Sequence, residues 1–181
     1  KAELKKIKER YTSIINGLNL NLSLDAEFKT IEQNFRDKAG SDYAASRGEY
    51  LNGIIMANYL GYEVIDAAEV IFFDENGLFD ADKTDKVMSA RLSKLENAVV
   101  PGFYGSAFDG SIKTFSRGGS DITGSIVSKA VKATVYENWT DVSGCLVADP
   151  RIVDNAQPIK VITYRELREL SYMGASVLHE D

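Results

Sequence analysis

Residues 98–139 read AVVPGFYGSAFDGSIKTFSRGGSDITGSIVSKAVKATVYENW. Ala98-Val99-Val100 is a short apolar run stopped by Pro101-Gly102, which suits a buried parallel strand. Residues 103–116 have the pattern of a hairpin, with Phe108-Asp109-Gly110 as its turn. Over 121–133, with Asp121 as the cap, Ile122, Ile126, Val127, Ala130 and Val131 recur at helical spacing. Thr134 to Trp139 is rich in strand formers. Strand alternating with helix predicts an α/β chain, a three-layer αβα sandwich on a mainly parallel sheet.

Upstream the texture is helical. Leu4, Ile7, Tyr11 and Ile14 or Ile15 mark an amphipathic helix over 1–16, with Gly17 as a stop. Ser23 to Glu27 opens a second helix to about Ala39, with Gly40 as its C′ residue. A third stretch starts at Ser41 or Asp42, bends or breaks near Gly48, and runs to Gly61. Tyr62–Ile65 and Glu69–Phe73 read as strands, and Asp74-Glu75-Asn76-Gly77 as a turn. Residues 84–97 read as a helix with Thr84 at its N-cap. Downstream, Thr163-x-x-Glu166 is a capping box opening a helix over 163–173. Gly174 ends that helix, and Ser176-Val177-Leu178 starts another strand. The expected organisation is a helical subregion over 1–61 and an α/β region over 62–181.

Composition bounds what such a chain does. Of 181 residues, 44% are hydrophobic and 27% charged, enough apolar material for one globular domain. A net charge of -6 argues against a general nucleic-acid binder, though not against a nucleotide site. No run reaches the roughly 18 apolar residues of a membrane span. The single cysteine, Cys145, forms no intramolecular disulfide, and with no secretory signal in view this predicts a cytoplasmic protein. One histidine, His179, argues against a Ser-His-Asp triad or a multi-histidine metal centre.

Three constellations carry chemistry. Arg117-Gly118-Gly119-Ser120-Asp121 lies between a strand and a helix. Its glycines admit close approach, the helix start offers N–H groups to an anion, and a guanidinium fork grips a carboxylate or phosphate. A capped turn with an exposed arginine fits the same residues. Thr140-Asp141-Val142-x-Gly144 follows a predicted strand, where α/β sheets bind ligands, and Asp149-Pro150-Arg151 is a turn holding an arginine. Both also read as ordinary turns. In Ser46-Arg47-Gly48-Glu49 the acid either holds a substrate amino group or complements a helix start. The acids of 74–85 lack the order of a calcium loop.

Taken in order, VVPGFYG (99–105), SRGGSDITG (116–124), WTDVSG (139–144), ADPRIV (148–153), MGASVLH (173–179) and SRGE (46–49) resemble the aspartate kinases of the amino acid kinase family. The Thr-Asp and Asp-Pro-Arg turns are shared with uridylate and glutamate kinases, whereas the Arg-Gly-Gly-Ser-Asp and Ser-x-Gly-Glu stretches are narrower. The resemblance implies transfer of the γ-phosphoryl group of MgATP to the β-carboxylate of L-aspartate, the first step toward lysine, threonine and methionine. It places Arg117 and Asp121 in the catalytic site, and Glu49, Phe103, Arg117, Ser120 and Asp121 on aspartate. It places Thr140, Asp141, Leu146, Arg151, Ser176 and Val177 at ATP. ATP and Mg2+ are the implied cofactors, with no protein residue assigned to the metal, and a homo-oligomer is the implied assembly.

The chain departs from that pattern. No Lys-Phe-Gly-Gly strand precedes the first helix, and no regulatory ACT domain follows. Leu146 stands where many members have tyrosine, Ser176 where they have lysine, and Glu180 where they have proline. The expectation is therefore an internal segment of a longer kinase, inactive by itself. A binding protein that has lost transfer, and a kinase for another acceptor, remain as alternatives.

Overall fold

The computed structural model describes residues 2–116, 118–139, 144, 146–149 and 152–173. Two compact units follow in the chain, Lys1–Thr134 and Val135–Asp181.

The first unit opens with three helices: α1 (Ala2–Gly17), α2 (Asp25–Arg36) and α3 (Ser41–Leu60). Their apolar positions meet in a core of Ile15, Leu24, Phe28, Ile31, Tyr43, Leu51 and Ile55. The helical first third is as the sequence predicts, but two stops differ. The left-handed residues that end α1 and α2 are Asn19 (φ 53°) and Lys38 (φ 59°), not Gly17 or Gly40. Each turn is closed by a bond back across it, Leu20 N–H to Ile15 O at 3.0 Å and Ala39 N–H to Asn34 O at 3.0 Å. Gly40 (φ 94°) instead precedes α3 as its N-cap. α3 runs through Gly48 without a break, its neighbour Arg47 buried, and ends at left-handed Gly61.

β1 (Glu63–Val64) pairs in parallel with β2 (Ala98–Val99), with Glu63 opposite Ala98. Arg91 and Glu63 form an ion pair beside this ladder. Between the strands, the expected strand at Glu69–Phe73 is partly helical. Asp66 accepts from Ala68 N–H at 3.0 Å and caps a single turn, α4 (Ala67–Val70). Only then does the chain extend, and Phe72 bridges Ser106 in parallel. The Asp74 turn forms as expected, its Oδ1 accepting from Asn76 and Leu78 N–H. The next helix, α5 (Ala81–Leu92), starts earlier than expected because Asp80, not Thr84, caps it by accepting from Lys83 N–H at 3.0 Å. Thr84 is buried inside that helix, where its Oγ1 accepts from Phe72 N–H at 3.0 Å.

The hairpin is β3 (Tyr104–Ser106) against β4 (Ile112–Thr114), antiparallel, with Gly105 opposite Lys113. α6 (Gly119–Ala130) follows, and Gly118 is its N-cap, so Asp121 lies inside the first turn rather than capping it. α6 is tied to α5 by Ser89 Oγ donating to Ala130 O at 3.0 Å. A second core holds Ile65, Val70, Ile71, Phe73, Met88, Leu92, Tyr104 and Ala130. Tyr50 of α3 packs against both cores.

In the second unit, the expected strand at 134–139 is absent. Val135 and Trp139 are exposed, and among the described residues no strand pairs with this run. Strand propensity without a neighbouring edge builds no ladder. Leu146 instead forms an antiparallel bridge with Pro158. α7 (Tyr164–Tyr172) has the expected capping box: Thr163 N–H donates to Glu166 Oε2 at 2.8 Å and Glu166 N–H to Thr163 Oγ1 at 3.3 Å. The expected Gly174 stop and the strand from Ser176 lie outside the described residues.

Two measurements check these elements. Thr84→Val leaves the Phe72 N–H without its acceptor and should lower unfolding stability in urea by about 1–3 kcal/mol, while Thr84→Ser should cost less. An equal loss in both variants contradicts the bond. At α7, the bonds from Thr163 hold the Glu166 carboxyl below its ordinary value. Its contribution is thus complete above the unfolded value of about 4.3 and is lost as pH falls through the lower folded value. Carbon NMR of Glu166 should show that lowered midpoint, and Thr163→Ala should return it upward.

Candidate functional site

The site in the first unit is built on Phe103. This residue has φ +64°, a left-handed backbone uncommon for a bulky side chain. Its N–H donates to Thr123 Oγ1 at 3.0 Å, and that hydroxyl donates onward to Gly119 O at 2.7 Å. Its carbonyl accepts from Phe115 N–H at 2.9 Å. A side chain at Gly119 would place Cβ 2.6 Å from Phe103 Cβ and 2.7 Å from its Cα, so only glycine lets α6 start this close. A Cβ on Gly102 would lie 3.2 Å from Ser120 Cα. The 101–105 loop and the first turn of α6 are therefore one packed body, which joins Phe103, Ser120 and Asp121 from the sequence reading. Ser120 is exposed there, and Asp121 is half-buried.

The first turn of α6 brings opposed charges together. Gly118 has no side chain with which to cap α6. A helix start carries N–H groups without partners inside the helix and the positive end of its dipole. Such N–H groups can hold a carboxylate or phosphate, with the Asp121 carboxylate in the same turn opposing them. Arg117, placed between β4 and this turn by the sequence, lies outside the described residues.

α3 supplies the other side. Gly53 packs on Pro101, where a Cβ would stand 2.6 Å from the proline ring. Arg47 is buried and faces the rings of Tyr43, Tyr50 and Tyr104 at 4.7, 4.6 and 5.3 Å. Tyr104, fully buried, donates its hydroxyl to Asp66 Oδ1 at 2.7 Å. Burial first, then the Asp66 charge, pushes the Tyr104 phenol far up, against the opposing pull of Arg47. Glu49 is half-buried on α3 near Tyr11, whose phenol is raised by burial and then by the Glu49 charge. Tyr11 donates to Gly48 O at 2.9 Å. The structure thus sets Glu49 beside α1, while Arg47 and Tyr50 reach the 101–105 loop.

Arg47, Tyr104, Asp66 and Thr123 escape the sequence reading. The signal for the first was present: Tyr43 and Tyr50 stand four residues before and three after Arg47, on one helix face. Nothing local marks Thr123 or Asp66. A hollow of about 120 Å³ between α1 and the start of α2 is lined by Tyr11, Phe28 and the Lys8–Asp25 ion pair, and holds none of the expected ligand residues.

In the second unit, Leu146 is half-buried on its bridge to Pro158, and Asp149 O accepts from Ile152 and Val153 N–H in a tight turn. Thr140, Asp141, Arg151, Ser176 and Val177 lie outside the described residues. Among the described residues no group of three or more His, Cys, Asp or Glu could hold a metal ion, and no helix is long and apolar enough to cross a membrane.

A left-handed loop locked against a glycine-opened helix start defines the class as a mixed α/β protein. Comparison with known proteins narrows the class: the amino acid kinase family matches residues 2–181, and the chain belongs to that family. An aspartate kinase of Clostridium acetobutylicum has a solved structure that is 57% identical, with a TM-score of 0.92 over 98% of this chain and 41% of its own. Aspartokinase 3 of Bacillus subtilis is 36% identical over 97% of this chain and 42% of its own length. Escherichia coli aspartokinase III, 24% identical, shares the fold with a TM-score of 0.79 over 99% of this chain and 45% of its own. The chain thus spans roughly two fifths of the length of these relatives.

The buried phenols give a prediction. Their folded values lie above the unfolded value of about 10, so their contribution to stability is complete below about pH 10 and is lost as pH rises through the folded values. Of nine tyrosines, Tyr104 should ionise last, after Tyr11 and Tyr50, and only with unfolding. Phenolate absorbance followed alongside circular dichroism measures this. Nine phenols titrating together near pH 10 in a folded chain contradicts it.

Proposed function

We propose that the chain is part of an aspartate kinase that transfers the γ-phosphoryl group of ATP to the β-carboxylate of L-aspartate. The observation that carries this reading is the packed body of Phe103, Ser120 and Asp121, formed by two of the stretches that resemble that enzyme, VVPGFYG (99–105) and SRGGSDITG (116–124). The similarity to aspartate kinases across nearly the whole chain supports it.

In this reading Arg117 grips a substrate carboxylate through two parallel hydrogen bonds. The first turn of α6 adds N–H groups to the same charge, Glu49 holds the amino group, and Phe103 walls the pocket. Asp121 stands with Arg117 at the reacting end. Thr140, Asp141, Leu146, Arg151, Ser176 and Val177 bind ATP. The aspartate β-carboxylate is already ionised at neutral pH, so no general base is required. Its oxygen forms a bond to the γ-phosphorus while the bond from that phosphorus to the bridging oxygen breaks, and ADP leaves with the electron pair. Phosphoryl transfer of this kind depends on positioning and charge neutralisation. Magnesium supplies charge neutralisation on the phosphates, and we assign it no residue of this chain. The full-length protein works in the cytoplasm as a homo-oligomer.

A second reading is favoured by Ser176, which stands where the resemblance expects lysine: a relative that binds both ligands without transfer. Aspartate-dependent ADP release by the full-length protein separates the two. Turnover with aspartate, and a rise of about tenfold or more in its KM in Arg117→Lys with the ATP KM little changed, fits the first reading. Binding of aspartate by calorimetry without turnover fits the second, and no binding contradicts both.

A further inference from the structure

Arg47 is the buried charge that the proposed reaction leaves unused. It is 8% exposed. Its Nε and Nη2 both donate to Ser46 Oγ, at 3.1 and 3.0 Å, and that hydroxyl donates to Tyr43 O at 2.9 Å. Among the described residues no carboxylate lies within ion-pair distance of the guanidinium. Burying a cation without a paired acid is costly, and an apolar side chain of similar volume would pack here at lower cost.

The compensation comes from ring faces. A planar, weakly hydrated guanidinium stacks on aromatic rings, which a lysine ammonium does less well. Two of these rings, Tyr43 and Tyr50, belong to α3, while the third, Tyr104, opens β3 just after Phe103. Tyr104 is held at its other end by Asp66, which also caps α4. Its ring meets Phe103 edge-on, with centroids 5.9 Å apart. Thr123 and Gly119 hold Phe103 from the α6 side and Phe115 N–H holds its carbonyl, and a strained backbone persists only where its surroundings over-determine it.

We infer that Arg47 is a positioning residue: its guanidinium clamps Tyr104, and through it the left-handed Phe103, against α3. The inference rests on the reading of Phe103 as a wall of the acceptor pocket. Arg47 itself touches no substrate. An aliphatic side chain would fill the same space but leave the rings free to slide, so the arginine sets orientation rather than stability.

The test uses the full-length protein as wild type, Arg47→Met, Arg47→Lys and Arg47→Ala. Arg47→Met removes the buried charge at similar volume and should keep or raise the unfolding temperature. Its aspartate KM should rise about tenfold or more, and the ATP KM should stay within about twofold. Arg47→Lys should share the KM defect. Free guanidinium ion should restore the aspartate KM of Arg47→Ala toward that of wild type. Crystal structures of wild type and Arg47→Met give a readout that needs no activity: Phe103 should leave its left-handed conformation in the variant. An unchanged Phe103, an unchanged aspartate KM, or equal losses for both substrates overturns the inference. Failure of the wild type to turn over aspartate removes the kinase reading alone, and the Phe103 conformation then decides the role of Arg47. Should Arg47→Met not fold, the same measurements on Arg47→Lys decide it.

Discussion

The left-handed backbone at Phe103 sets the geometry of the first unit. A bulky residue there carries strain of order 1–3 kcal/mol, and two hydrogen bonds hold it: its N–H donates to Thr123 Oγ1, which donates onward to Gly119 O, and its carbonyl accepts from Phe115 N–H. That single kinked residue turns the chain from the Pro101-Gly102 corner into β3. It therefore decides where the hairpin begins and how Ser106 meets the extended run at Ile71–Phe73. It also fixes the start of α6, because Gly119 packs on the same residue. The loop, hairpin and helix start stand or fall together.

Around that point the chain uses charge sparingly. The acid that fixes Tyr104 also caps α4, so one carboxylate ends a turn and anchors an aromatic ring. The arginine of α3 works through ring faces rather than through an acid. A buried charge tends to be replaceable by apolar packing without loss of stability, so the value of this one lies in the orientation we infer for it. Where a reaction depends on positioning, displacements well below the width of a side chain matter to its rate.

What the sequence made legible was local. The hairpin over 103–116, the Asp74 turn, the Gly61 stop and the α7 capping box each rest on residues within a few positions of one another. Sequence pattern and structure part where distance enters. Thr84 looked like a cap, yet its oxygen serves Phe72 twelve residues away. Gly17 and Gly40 looked like stops, yet Asn19 and Lys38 took the left-handed positions because bonds back across the turn reward the register, not the residue. Thr134–Trp139 had strand propensity but no paired edge among the described residues. At the site, Phe103, Ser120 and Asp121 are named by motif order, but the approach of the α6 start to Phe103 depends on the missing Cβ of Gly119. Arg47 was in plain view within SRGE, and its role appears only when Tyr104 folds onto it from the loop.

The most direct test of the central claim is a crystal structure of the full-length protein with L-aspartate bound. The account predicts a substrate carboxylate on the N–H groups of the first turn of α6, with the Phe103 ring against the substrate and its backbone still left-handed. Aspartate bound elsewhere, or an α6 start that carries no ligand while Phe103 relaxes to negative φ, would contradict it.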